Sequence, residues 1–322
     1  MFGGGGAGAL GAGLYGFLHL ESLLARRSIG QLENGAPHAD GPYGRAFPGP
    51  PLSFVVIGDS AGAGLGCDRP DETPGALLAT GLAEIAERPV RLRTTAFSGA
   101  TSEHLPDQVD DALTSRPDVA LIIIGGNDVT HQMRPSTSVG YLDDALGRLH
   151  AENVEVVVGT CPDLGTIEPI PQPLRWIARR LSRQLAAAQM VTAVEAGARA
   201  VSLGSILGEE FSAAPGDMFA ADRFHPSAAG YAAVAATVLP SLAGALGLWD
   251  DEPSAAPEDD EAALPAVVAA EEAAELAGVE MAGTSVAGHE RGPRGRWARL
   301  RRRARVPSDG PSVAVTDSGT IS

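Results

Sequence analysis

The chain contains no lysine: all 24 basic residues are arginine, against 40 acids, giving a net charge of −16 over 322 residues. A chain this acidic repels phosphate backbones, so nucleic acid is not an expected partner. The basic patch the sequence offers lies near its C-terminus. Cysteine is equally scarce. Cys67 and Cys161 are too few and too far apart for a disulfide scaffold or a thiolate metal site. Long apolar runs are wanting too. Residues 2–24 are apolar but glycine-rich, His19 and Glu21 interrupt them, and Arg26 and Arg27 come after the stretch rather than before it. That order opposes a secretory signal, and the length is borderline for a span. Residues 1–28 therefore stand as a candidate membrane anchor, a helix packed on the protein, or a divergent signal peptide. An anchor or export signal implies a membrane or cell-envelope location; otherwise the protein is cytoplasmic. If the segment spans, the positive-inside rule keeps residues 29–322 on the cytoplasmic side.

What is present is an apolar fraction of 44%, enough for a sizeable core. Residues 29–52 show no usable period and read as a linker. Over 53–248, short apolar runs at 54–57, 90–95, 119–124, 154–159 and 200–203 alternate with helical patterns at 74–87, 104–114, 139–151, 174–196 and 228–246. The runs are rich in β-branched residues and mostly continuous, as strands buried on both faces are. This alternation predicts a parallel sheet covered by helices on both sides, with ligands beyond the carboxyl ends of its strands. After Trp249 the composition changes. Residues 250–290 carry twelve acids and no arginine, and residues 291–305 hold eight arginines. Opposed charge blocks of this kind predict a solvated, disordered tail over 249–322, with a transient helix at 265–276, dispensable for chemistry. The arginine block could hold anionic lipid or nucleic acid.

The strand at 54–57 runs into Gly58-Asp59-Ser60-Ala61-Gly62. Read literally this is the nucleophile elbow of α/β-hydrolases, but that elbow comes after several strands, and about fifty strand-poor residues precede Ser60 here. Three further clusters fall at the same edge: Gly99 within Phe97-Ser98-Gly99-Ala100-Thr101, Gly125-Gly126-Asn127-Asp128, and Asp222-Arg223-Phe224-His225-Pro226. Together they resemble the SGNH hydrolases, also called GDSL esterases or lipases. Gly-Asp-Ser at 58–60, Gly99, Gly-x-Asn-Asp at 125–128 and Asp-x-x-His at 222–225 match that family's four blocks in order, across about residues 53–248. Ala61 stands where many members carry leucine. The resemblance implies a three-layer α/β/α, flavodoxin-like doubly wound sheet and an acyl-transfer site without cofactor or metal.

The residue types account for the chemistry. An unactivated serine hydroxyl needs a base, and His225 suits that task, with Asp222 one turn earlier to hold the imidazole. Charge developing on the carbonyl oxygen needs donors. The resemblance supplies the backbone N–H of Ser60, that of Gly99, and the Asn127 amide. Each block alone has an ordinary structural reading: Ser60 a helix cap, Asn127 a turn, Asp222 and His225 a surface turn. Asp59 and Asp128 are expected to bond to loop backbone, and His104 and His131 to bind no metal. Gly62-Ala63-Gly64-Leu65-Gly66 lacks the third glycine of a dinucleotide fingerprint. Pro-rich residues 161–173, with Ile167 and Ile170, are expected to overlie the site, with 129–135 as a second wall. The expected substrate is a small carboxylic ester. Alternatives are a thioesterase or lysophospholipase, a carbohydrate deacetylase, or a non-catalytic, membrane-tethered interaction protein.

Overall fold

In a computed structural model, residues 34–204, 215–248, 264–275, 279–284, 291–292 and 295–302 are described. Residues 1–28, the candidate anchor, lie outside them. The strands are β1 (Gly41–Tyr43), β2 (Leu52–Gly58), β3 (Val90–Thr94), β4 (Val119–Ile123), β5 (Glu155–Gly159), β6 (Arg199–Val201), β7 (Leu264–Pro265), β8 (Val279–Thr284), β9 (Arg291–Gly292) and β10 (Gly295–Arg302). The α-helices are α1 (Ser60–Ala63), α2 (Pro74–Ala86), α3 (Leu105–Leu113), α4 (Gly126–Thr130), α5 (Pro135–Ala151), α6 (Leu174–Glu195), α7 (Pro215–Met218), α8 (Ala228–Ala245) and α9 (Ala266–Glu275).

Five strands form the predicted parallel centre, in spatial order β3-β2-β4-β5-β6. Counted along the chain this is order 2-1-3-4-5, the flavodoxin-like winding. Every residue of β4 is buried, which a Val-Ala-Leu-Ile-Ile run between two covered faces requires. Alternate residues of β2 serve opposite layers. Val55 and Ile57 pack with Val109, Leu146 and Met190 from α3, α5 and α6. Phe54 and Val56 pack with Leu78, Leu82 and Val238 from α2 and α8. Helix α8 is long and apolar enough to cross a membrane, yet its most apolar stretch is 67% buried in this second layer, as a core helix would be. The chain leaves β2 toward β3 on one side and returns to β4 on the other, so the winding reverses between β2 and β4. A crevice opens there beyond the strand ends.

Both edges depart from the sequence reading. Part of the segment read as a linker is β1, which pairs antiparallel with β3 through Gly41↔Leu92 and Tyr43↔Val90. Three residues containing Gly and Pro give no alternation to detect. At the other edge β8 pairs antiparallel with β6, Val201 opposite Glu280, and β10 and β7 continue outward. The sheet is therefore mixed; within 249–322 the described residues form β7, α9, β8, β9 and β10, and the rest of that segment lies outside them. Helix α9 coincides with the stretch read as a transient helix. It turns Ala266, Ala269, Ala270 and Ala273 into the core beside Met281, a spacing of three and four residues that the charge reading passed over. Glu280, counted among the solvated acids, is 1% exposed. It accepts hydrogen bonds from Arg199 at 3.0 Å and from the Ser241 hydroxyl.

Candidate active site

Ser60 is the first residue of α1, directly beyond the carboxyl end of β2, and the Asp59 carboxylate caps that helix by accepting the Ala61 N–H at 3.0 Å. Ser60 Oγ lies 3.0 Å from His225 Nε2, and His225 Nδ1 lies 2.6 Å from Asp222 Oδ2. The second Asp222 oxygen accepts the backbone N–H groups of Phe224 and His225, each at 3.0 Å. Burial pushes the Asp222 carboxyl up. The hydrogen bonds from the His225 ring and those two N–H groups together outweigh it and hold the carboxyl below its ordinary range. An ionised Asp222 fixes the proton on Nδ1, which leaves Nε2 as the acceptor facing the serine.

Asn127 sits on α4, just past β4 across the crevice. Its amide Nδ2 donates one hydrogen to the carbonyl of Ala100 at 2.9 Å, and the amide has a second to offer. That bond ties the Asn127 block to the loop bearing Gly99. Gly99 has φ +86°, and nothing lies within 4 Å of where a Cβ would sit. The requirement for glycine there is conformational rather than one of close packing within the protein. Asp128 is fully buried and accepts the Ser102 N–H at 2.8 Å and the Ser138 hydroxyl at 2.6 Å. It braces the loop from beneath. Asp59 is 5% exposed, and burial, reinforced by Asp128, raises its carboxyl to about 6 against the Ala61 N–H that lowers it.

A cavity of about 70 Å³ opens beside Ser60, Asn127 and His225, walled by Leu164, Leu203 and Phe224. Ile167 lines it as well, so the 161–173 loop overlies the site as its composition suggested. Ile170 packs behind Ile167 instead, and Val129 buttresses the same cluster without lining the cavity. The loop is pinned by Asp163, 3% exposed, which pairs with Arg183 at 3.1 Å and Arg179 at 3.4 Å. Three polar groups went unnoticed in the sequence. Gln108 bonds both backbone groups of Gly58, at 2.7 and 2.9 Å. Gln189 bridges Cys161 N and the Ile124 carbonyl. Asp163 is the third. The available signal was a polar residue at a core-facing helical position.

The remaining candidates have structural roles. His104 accepts the Thr101 N–H at 3.1 Å and meets Phe97 edge-on, while His131 contacts the Asn127 carbonyl. Among the described residues no group of three His, Cys, Asp or Glu side chains is disposed to hold a metal. Both cysteines are buried and unpaired; burial drives the Cys67 thiol to about 12 and the Cys161 thiol well above its ordinary value. In the glycine run, a Cβ on Gly66 would lie 2.4 Å from the Pro226 carbonyl. Glycine there lets the Ser60 turn approach the His225 block.

Residues 56–233 match the GDSL-like Lipase/Acylhydrolase family. The GDSL-like esterase Rv1075c of Mycobacterium tuberculosis (strain ATCC 25618 / H37Rv) is 40% identical over 259 residues, 74% of this chain and 82% of that protein. Among solved structures, TesA is 25% identical, with 60% of this chain and 99% of that chain covered at a TM-score of 0.48. A catalytic mutant of Axe2, an acetylxylan esterase from Geobacillus stearothermophilus, is 18% identical, with 61% and 94% covered at a TM-score of 0.48. The four sequence blocks meet at one edge of a 2-1-3-4-5 sheet, and the matches span that sheet: the chain belongs to the GDSL-like lipase/acylhydrolase family, the SGNH hydrolases, and is an ester-hydrolysing enzyme.

Proposed function

We propose that Ser60, His225 and Asp222 act as a catalytic triad that hydrolyses small carboxylic esters of short acyl chain. The observation that carries this is the Asp222–His225–Ser60 hydrogen-bond chain ending beside an apolar cavity of about 70 Å³. Ser60 Oγ attacks the carbonyl carbon as His225 Nε2 takes its proton, and Asp222 stabilises the imidazolium. The developing oxyanion draws on the N–H groups of Ser60 and Gly99 and on the second amide hydrogen of Asn127. His225 returns the proton to the departing alcohol, and water then cleaves the acyl-enzyme by the same steps.

The space beside Ser60 is small against the roughly 150 Å³ of a closed cavity that takes up benzene, which favours a short acyl chain there. Across p-nitrophenyl esters of increasing length, kcat/KM is expected to peak at acetyl to butyryl and to fall at least tenfold by octanoyl. A maximum at octanoyl or beyond overturns the short-chain assignment. No turnover of any member, with no fluorophosphonate labelling, returns the protein to the non-catalytic reading.

Asn127 offers a sharper separation of roles. Loss of one oxyanion donor costs about 2.7–4 kcal/mol of barrier, so Asn127→Ala should lower kcat roughly a hundred- to thousandfold and leave KM little changed. The variant also loses the bond to Ala100, worth about 1 kcal/mol of stability. A melting curve that falls while kcat stays within a few fold of the parent removes Asn127 from the oxyanion site.

A further inference from the structure

The first turns of α6 pack Leu174 and Ala178 against Leu164 and Ile167, which line the cavity beside Ser60. Those turns read Leu-Arg-Trp-Ile-Ala-Arg-Arg-Leu-Ser-Arg-Gln from residue 174, four arginines without an acid, in a chain of net charge −16. This basic cluster is separate from the one in the C-terminal segment. Local helix physics opposes it. The N-terminal end of a helix is already positive, and like charges four residues apart, as at Arg179 and Arg183, repel. Asp163 partners Arg179 and Arg183, and the guanidinium groups of Arg175 and Arg180 add to the positive charge at this end of the helix.

The arrangement is directional. At 100° per residue, Trp176, Arg179, Arg180 and Arg183 share one stripe, opposite the buried Leu185 and Gln189. Trp176 is 58% exposed. The other exposed aromatic among the described residues, Phe97 at 43%, comes just after β3 at the same sheet edge. Phe97 follows β3 on one side of the β2–β4 pair, and the 160–173 loop that leads into α6 leaves β5 on the other. A soluble anion has no use for an exposed tryptophan beside the arginines. An anionic bilayer uses both, because indole partitions to the headgroup level while guanidinium groups reach lipid phosphates.

We infer that this edge docks on an anionic lipid surface through Trp176, Arg175 and Arg180 at the start of α6, with Phe97 as a second contact, so that the cavity mouth opens toward the bilayer. The docking is independent of which ester is cleaved. Full-length protein is expected to co-sediment with vesicles containing about 30% phosphatidylglycerol at least tenfold more than with pure phosphatidylcholine, and to be released as salt shortens the Debye length. Trp176→Ala combined with Arg175→Glu and Arg180→Glu should lower vesicle binding at least tenfold while turnover of a soluble acetyl ester stays within twofold, which also reports folding. Arg180→Gln alone, a change at an exposed position, should weaken binding several-fold. Equal binding of parent and either variant, or no preference of the parent for anionic vesicles, overturns the inference; equal binding that remains lipid-selective shifts the contact to residues 1–28 or 291–305.

Discussion

Ser60→Ala is expected to lower kcat by about four to six orders of magnitude, the range seen when a hydroxyl nucleophile is removed from a triad. Stability should barely change. The Ser60 hydroxyl contributes one hydrogen bond, to His225 Nε2 at 3.0 Å, worth about 1 kcal/mol, and the Asp59 cap on Ala61 N–H that shapes the turn remains. A fluorophosphonate, which phosphonylates an activated serine and loses fluoride, should label the parent and not the variant. His225→Ala should match Ser60→Ala in effect, because without the base the hydroxyl is not activated. Asp222→Asn should retain more activity than either: the base survives, but its tautomer is poorly held. Labelling that persists in Ser60→Ala, or a variant within tenfold of the parent, removes Ser60 as nucleophile. If the fall in kcat is matched by an equal fall in folded fraction on a melting curve, Ser60 serves the fold and is not the nucleophile.

The parts of this site that sequence makes legible are those where chemistry restricts the residue type. Serine after the first parallel strand, asparagine after the third, and aspartate three residues before histidine could each be placed because strand ends were marked by continuous Val, Ile and Leu runs. The observed β2, β4 and α8 lie within two residues of the ranges those patterns give. What escaped is whatever depends on contacts distant in sequence. Gln108 and Gln189 serve backbone groups 50 and 65 residues away, and their core-facing helical positions mark them as buried without naming those partners. Gly99 stands in a block that the sequence marks, and its positive φ is a property that only the folded backbone reveals. In the C-terminal segment the charge blocks mark a tail, and the apolar signal of α9 within it is weak. Four alanines at helical spacing bury little area each, yet a helix of such small residues can lie close against α6.

The alanine face of α9 carries the second large prediction. Removing the chain after Leu248 should destabilise the protein severely, by several kcal/mol, rather than leave it intact as the charge blocks alone imply. Truncation takes away β8, whose Val279 and Met281 are 2% and 0% exposed, and the alanine face of α9. Burial of one large apolar side chain contributes about 1.5–3 kcal/mol, so two of these and the alanines already exceed a small domain's margin for error. It also bares Val201 on β6 and strips Glu280 from Arg199, whose side chain is 19% exposed. Glu280→Ala isolates that last effect. Breaking a buried ion pair from one side costs about 3–5 kcal/mol, because the surviving charge stays buried. The partial exposure of Arg199 places the expected loss at the lower end. Added salt should restore little, since a pair this enclosed is poorly screened. The proposed triad residues pair with one another and Glu280 with Arg199 and Ser241, so Glu280→Ala should keep kcat per folded molecule within about twofold in a sample cooled below its transition. A truncated protein that melts within about two degrees of the parent, where 1 kcal/mol moves a chain this size by about 2–4 °C, would show that β8 and α9 do not contribute to the core in solution.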